Sequence, residues 1–337
     1  MTEQLHFPLE TPAAALFSQV GILPPTGQIP AHLKLFIDQA GQVLDKVQHL
    51  VEGGELAPER GHEFQQLLVD ACARVLCHPI VASNNYLRRF AEGVTEAQAR
   101  HECQQFSIFA TQFDVAQAKL VANSPTLEVY QERLNVLLNE KGIPYRDGFE
   151  GELTGQWSPS TVHFTWLRNM AAGLGLGFED VGKIWLGHPG TVAFVNATFE
   201  NYASTDPNTA SGAAFAIENW AANSLWKPWI AGMRKLNSER TQSVNLGYLL
   251  YHDSEEEHHS QATLDELLEN FVEPWFDAPR FLAGAERMLS EGVEAYYESQ
   301  LDTLPERDVT WPTHATEPRA FDPETLPRLA VGELRAN

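Results

Sequence analysis

The 337-residue chain contains only three cysteines, Cys72, Cys77 and Cys103, and they follow no regular interval. That scarcity argues against a disulfide framework or a thiolate-rich zinc site and points to reduced thiols in the cytoplasm. Basic residues are also few, 23 against 45 acidic ones, for a net charge of −22. A surface of that sign repels phosphate backbones and anionic lipids, so neither nucleic acid nor a membrane is an expected partner. No uninterrupted apolar run approaches the roughly 18 residues of a spanning helix. The first residues, MTEQLHFPLETPAAALF, lack the basic segment and apolar core of a signal peptide. Alternating strand patterns and internal repeats are missing too. Gly173-Leu-Gly-Leu-Gly177 follows a helix rather than a strand and lacks the full dinucleotide spacing, so it reads as an interhelical turn.

What the chain does have is helical periodicity, and the expected fold is all-α. Leu33, Phe36, Ile37, Ala40, Val43, Leu44 and Val47 recur at helical spacing over 32–51. Further helices are expected over 63–76, 95–122, 126–141, 161–173, 178–186, 190–203, 210–236, 239–270 and 274–300. Gly142 is the expected C-cap of the helix over 126–141, and Ser160 or Thr161 would cap the next. Residues 1–30, punctuated by Pro24, Pro25, Gly27 and Pro30, read as an extended arm, and the proline-rich stretch from Leu304 reads as a tail. The expected organisation is an arm and helix over 1–60, a main domain over 61–303, and a tail over 304–337.

The stretch LLYHDSEEEHHSQATL (249–264) raises the question of chemistry. At about 100° per residue, His252, Glu256 and His259 share an arc of about 60° that also holds Tyr248 and Leu249. Two imidazoles and a carboxylate on a core-facing stripe must be paired or bound, because burying a lone charge is too costly. His258 and Glu257 point away from that face. In SGAAFAIENWAANSLWKPWIAGM (211–233), Glu218 has Ala214 and Ala222 one turn to either side, with Ala221 and Leu225 on its face. Small neighbours leave room beside a carboxylate for something larger than a proton. His163 opens the helix STVHFTWLRNMAAGLGL, and Glu140 ends the apolar helix LNVLLNEKG. Taken singly, each of these has an ordinary structural explanation, such as a satisfied core histidine or an exposed helix-terminal acid.

As an ordered set they are similar to the haem-oxygenase-like diiron oxidases. In that pattern a Glu and a His lie on or near the first core helix, a Glu lies on the second, and His-x3-Asp/Glu-x2-His lies on the third. The resemblance covers about residues 75–300. It implies a helical bundle with an N-terminal extension and a C-terminal tail, and it implies metal ligands Glu140, His163, Glu218, His252, Glu256 and His259, with Glu218 bridging. The implied cofactors are two Fe(II) ions, with O2 as cosubstrate. This chain departs from the pattern in two respects: Glu256 stands where Asp is usual, and the segment between Glu140 and His163 is long. Glu150 or Glu152 inside it therefore remains an alternative to Glu140.

Three imidazoles and three carboxylates form a mixed N/O set suited to iron or manganese. The resemblance implies a cytoplasmic oxidoreductase acting on a small metabolite, with amine N-oxygenation first and oxidative C–C cleavage or decarboxylation as alternatives. Its expected partners are that small molecule, an external electron donor and a second copy of the chain. A metal-free oxidase resembling pyrroloquinoline quinone synthase and a non-catalytic metal-binding protein are the competing classes. Trp157, Trp166, Trp220, Trp226 and Trp229 would form either aromatic walls for a cationic amine or plain core.

Overall fold

The computed structural model describes residues 7–24, 28–143, 160 and 162–301, with every side chain in that set except that of Glu256. Among them the chain is helical throughout, with no strand: an all-α bundle. Fourteen α-helices can be followed: α1 (Ala13–Gln19), α2 (Ala31–Glu52), α3 (Pro58–Ala71), α4 (Pro79–Ala82), α5 (Asn85–Glu92), α6 (Glu96–Ala122), α7 (Leu127–Glu140), α8 (His163–Gly173), α9 (Pro189–Ala197), α10 (Pro207–Trp220), α11 (Trp226–Glu239), α12 (Gly247–Val272), α13 (Ala278–Arg287) and α14 (Ala295–Leu301). No single helix among the described residues is long and apolar enough to cross a membrane.

The helices start where local chemistry satisfies their free N–H groups. Thr95 and Gln98 form a reciprocal capping box at α6. Thr126 caps α7 through the Val129 amide, and Asp206 caps α10 through that of Thr209. Gly142 ends α7 in the left-handed region, at φ +77°. One continuous core runs from Phe17 and Phe36 in the first helices to Tyr296 and Tyr297 in the last. Helices α6, α7, α10, α11 and α12 pack around the cavity described below, and α8 packs against α6 and α12.

Buried polar contacts fix where α7 lies. Arg133, fully inside, donates to Glu266 on α12 at 2.7 Å, to Ser211 on α10 at 2.9 Å and to the Leu120 carbonyl of α6 at 3.3 Å. Those contacts hold the helix two turns before Glu140, which places the carboxylate at its end.

Several sequence expectations are corrected. The arm is not wholly extended: Ala13–Gln19 coils into α1, whose Leu16 and Phe17 are buried, with Phe17 against Phe36 at 5.9 Å. Pro12 directly precedes this helix, where a missing N–H costs nothing. The helix expected over 178–186 is two short 3₁₀ turns, Phe178–Asp180 and Ile184–Leu186. The helix expected from 239 begins at Gly247, because Asn237 clamps the intervening loop by accepting from the Val244 amide and donating to its carbonyl. Ser160 does not cap α8: Val162 precedes His163 there without a side-chain bond, and the Ser160 carbonyl instead accepts from the Trp166 indole. Thr161, the stretch 144–159 and the tail from residue 302 lie outside the described residues.

Candidate metal centre

Glu140, His163 and His252 converge from α7, α8 and α12, with one ligand atom of each within 4.8 Å of the others. Glu140 Oε2 is 3.0 Å from His163 Nδ1, and its Oε1 is 3.6 Å from His252 Nε2. Burial alone would push the Glu140 carboxyl up. The two imidazoles override that and hold it well below the usual carboxylate range.

The imidazoles are oriented rather than merely near. Nδ1 of His252 lies 2.7 Å from the Tyr248 carbonyl one turn back and donates to it, which turns Nε2 toward Glu140. Trp226 and Tyr248 flank that ring at 4.9 and 4.2 Å. His163 stacks on Trp166 at 4.9 Å and meets Tyr251 edge-on at 4.8 Å. Tyr251 is held in turn by a 2.9 Å hydrogen bond from Asn139, the residue before Glu140. Despite its closeness to Glu140, the buried His163 Nδ1 makes no aligned hydrogen bond. A buried nitrogen without such a partner, beside a carboxylate and a second imidazole nitrogen, fits a divalent cation.

The other half of the predicted set is brought together separately. Glu218 Oε2 lies 3.5 Å from His259 Nδ1. Glu140, Glu218, His252 and His259 all line one cavity, closed by Phe106, Phe109, Phe113, Trp220 and Trp226. Its volume of about 50 Å³ admits a few water-sized guests. Glu256 lies on α12 between the two histidines, but its side chain is not among those described. Glu150, Glu152 and Trp157 fall in 144–159, also outside. His258 and Glu257 are exposed, as the helical wheel requires.

One expected neighbour is misplaced. Ala221 and Leu225 line the cavity beside Glu218, but Ala222 faces an outer groove on the opposite side. The cause is a π-helical turn at Ala221–Leu225 directly after α10. Its wider winding advances the register, and such turns favour functional sites. Sequence periodicity of 3.6 residues could not reveal it. Phe106, Phe109, Tyr248, Tyr251 and Asn139 were likewise not singled out from the sequence. Tyr248 alone left a signal, as it sits one turn before His252 on the same stripe.

Compared with known proteins, residues 149–292 match the family model of an iron-containing redox enzyme. The match supports the haem-oxygenase-like family that the sequence resembles. It spans less than half of the chain and includes His163, Glu218, His252, Glu256 and His259, while Glu140 precedes it. A search of curated proteins finds no match.

Proposed function

We propose that this chain, which matches a family model of iron-containing redox enzymes over residues 149–292, is a non-haem diiron oxidase that uses O2 on a small metabolite. The observation that carries the reading is one aromatic cavity lined by Glu140, His252, Glu218 and His259, with His163 on Glu140. Glu140, His163 and His252 would hold one iron; Glu218, Glu256 and His259 would hold the other. Bound ferrous iron supplies the electrons that reduce O2 and makes the oxidant for the substrate.

The protein's own residues perform the positioning. The Tyr248 carbonyl holds Nδ1 of His252, so that Nε2 is the ring atom presented to the site. Glu140 stays ionised against its burial because both imidazoles face it. Phe106, Phe109, Phe113, Trp220 and Trp226 line the reacting volume with apolar surface. The indole faces of Trp220 and Trp226 on the cavity favour a cationic or amine-bearing substrate, which supports N-oxygenation ahead of C–C cleavage or decarboxylation.

A second reading has its own support. Glu140, His163 and His252 alone form a two-histidine, one-carboxylate set, which suits a single ferrous ion. The test of an oxidase is stopped-flow mixing of the ferrous-loaded protein with oxygen against a panel of amines and carboxylic acids. Decay of the oxygenated species should accelerate with an amine. Indifference to every substrate would instead indicate metal storage or sensing without turnover.

A further inference from the structure

Away from the metal ligands, a carboxylate is buried between phenols. Glu102 on α6 is 1% exposed; its Oε2 accepts from Tyr86 at 2.5 Å and its Oε1 from Tyr296 at 3.0 Å. Burial pushes its carboxyl up to about 7, the two phenol hydrogen bonds acting against the rise. Structural economy does not explain this arrangement, since two phenols and a carboxylate in a dry core cost more than apolar residues of the same volume.

The cluster is linked to the cavity by rings in contact. Trp220 lines the cavity and lies 6.1 Å from Tyr297, which lies 5.4 Å from Tyr86 and 5.0 Å from Tyr296. The four rings are fully buried. Only the far end of the chain has somewhere to put a proton. Trp220 Nε1 and the Tyr297 hydroxyl are buried without hydrogen-bond partners, whereas Tyr86 and Tyr296 each point at Glu102.

From this we infer that Trp220, Tyr297, Tyr86 and Tyr296, with Glu102 as proton acceptor, form a relay that carries an oxidising equivalent out of the cavity. The inference rests on the oxidase reading for its physiological oxidant, a high-potential iron centre. In the step, the centre takes one electron from Trp220, leaving an indole radical cation. That ring has no acceptor for its N–H proton and so remains strongly oxidising. An electron then passes from Tyr86 through Tyr297 to refill it, as the Tyr86 phenolic proton moves to Glu102 Oε2. The products are a one-electron-reduced centre, restored Trp220, a neutral Tyr86 phenoxyl radical and a protonated Glu102. Tyr296 and the other carboxylate oxygen offer the same endpoint. The relay would spare the cavity walls when oxidant forms without substrate. Its end lies on α5, where Asn84, Asn85, Leu87 and Arg88 line an outer groove through which a one-electron reductant can approach without entering the cavity.

The test needs no iron, so its failure is distinct from failure of the oxidase reading, which an iron titration judges. Flash photoionisation of tryptophan in the metal-free, full-length protein creates indole radicals, and transient absorption follows their conversion to phenoxyl radicals. A concentration-independent phenoxyl phase is expected, lost in Trp220→Phe and in Tyr86→Phe/Tyr296→Phe, over a constant background from other Trp–Tyr pairs. Glu102→Gln, which keeps the shape but is a far weaker base, should slow that phase at least tenfold. Thermal unfolding of each variant establishes that it is folded, and Glu102→Gln serves as the readout where a phenol deletion is not. An unchanged phenoxyl phase in folded Trp220→Phe, or wild-type kinetics in Glu102→Gln, would overturn the relay.

Discussion

At the scale of single residues, the candidate site separates neighbours that look alike in sequence. His258 and His259 are adjacent, yet the first is exposed and the second faces Glu218 across the cavity. Iron bound per chain should therefore fall by about one in His259→Ala and stay at the wild-type level in His258→Ala. The same measurement decides the carboxylate that the sequence left open: Glu140→Ala should be iron-depleted and Glu152→Ala should not. Glu140 is packed against His163 and His252, so urea unfolding of each variant accompanies the iron measurement to separate loss of the ligand from loss of the fold. Glu102 makes a pH-dependent prediction. Its carboxyl is raised in the folded state to about 7 from an ordinary 4.5, so folding favours the protonated form. The stability it contributes is full below about pH 4.5 and is lost as pH rises through about 7, roughly 3 kcal/mol in all. Urea unfolding at a series of pH values should show wild-type stability falling relative to Glu102→Gln across that window. Parallel curves would contradict the shifted carboxyl.

At the scale of helices, the spacing of His252, Glu256 and His259 made the side of α12 that carries His252 and His259 into the cavity legible, because a helical wheel needs only the 3.6-residue period. The period also hid what departs from it. The π-helical turn after α10 moves Ala222 to the outside, and nothing in AANSL announces the wider winding. The Asn237 clamp that delays α12 to Gly247 is a tertiary contact, invisible to local pattern. Nothing in RHECQQFS marks Glu102 as a buried acid, since the tyrosines that hold it are distant in sequence. One helix contact carries a direct prediction. On α10, a Cβ added at Gly212 would stand 1.9 Å from the Phe281 carbonyl of α13, and one added at Gly284 would stand 2.5 Å from that of Thr209. The two helices cross with backbones touching, and neither carbonyl can swing aside without breaking its own helix. Gly212→Ala should destabilise the fold by about 3 kcal/mol or more, beyond the usual cost of overpacking a side chain. A change under about 1 kcal/mol in denaturant unfolding would show that α10 and α13 can separate freely. Because Glu218 lies on α10, the variant should also bind iron more weakly.

Across the whole molecule, the bundle places an ordered series of donors from α7, α8, α10 and α12 around one aromatic cavity. The ordered series was readable from the sequence because each donor sits in its own apolar helix. Their convergence was not, because it depends on the buried Arg133 contacts that seat α7 against α6, α10 and α12. The complete three-residue cluster on the Glu140 side and the Glu218–His259 pair on the other assign the two halves different strengths on structural grounds. The central claim is that both halves hold iron at once. Anaerobic titration of the full-length protein with ferrous iron, read by Mössbauer spectroscopy, tests it most directly. The account predicts saturation at about two irons per chain, with magnetic coupling between them after exposure to oxygen. Saturation at a single uncoupled iron would contradict it in favour of the two-histidine, one-carboxylate site, and no binding at all would contradict both.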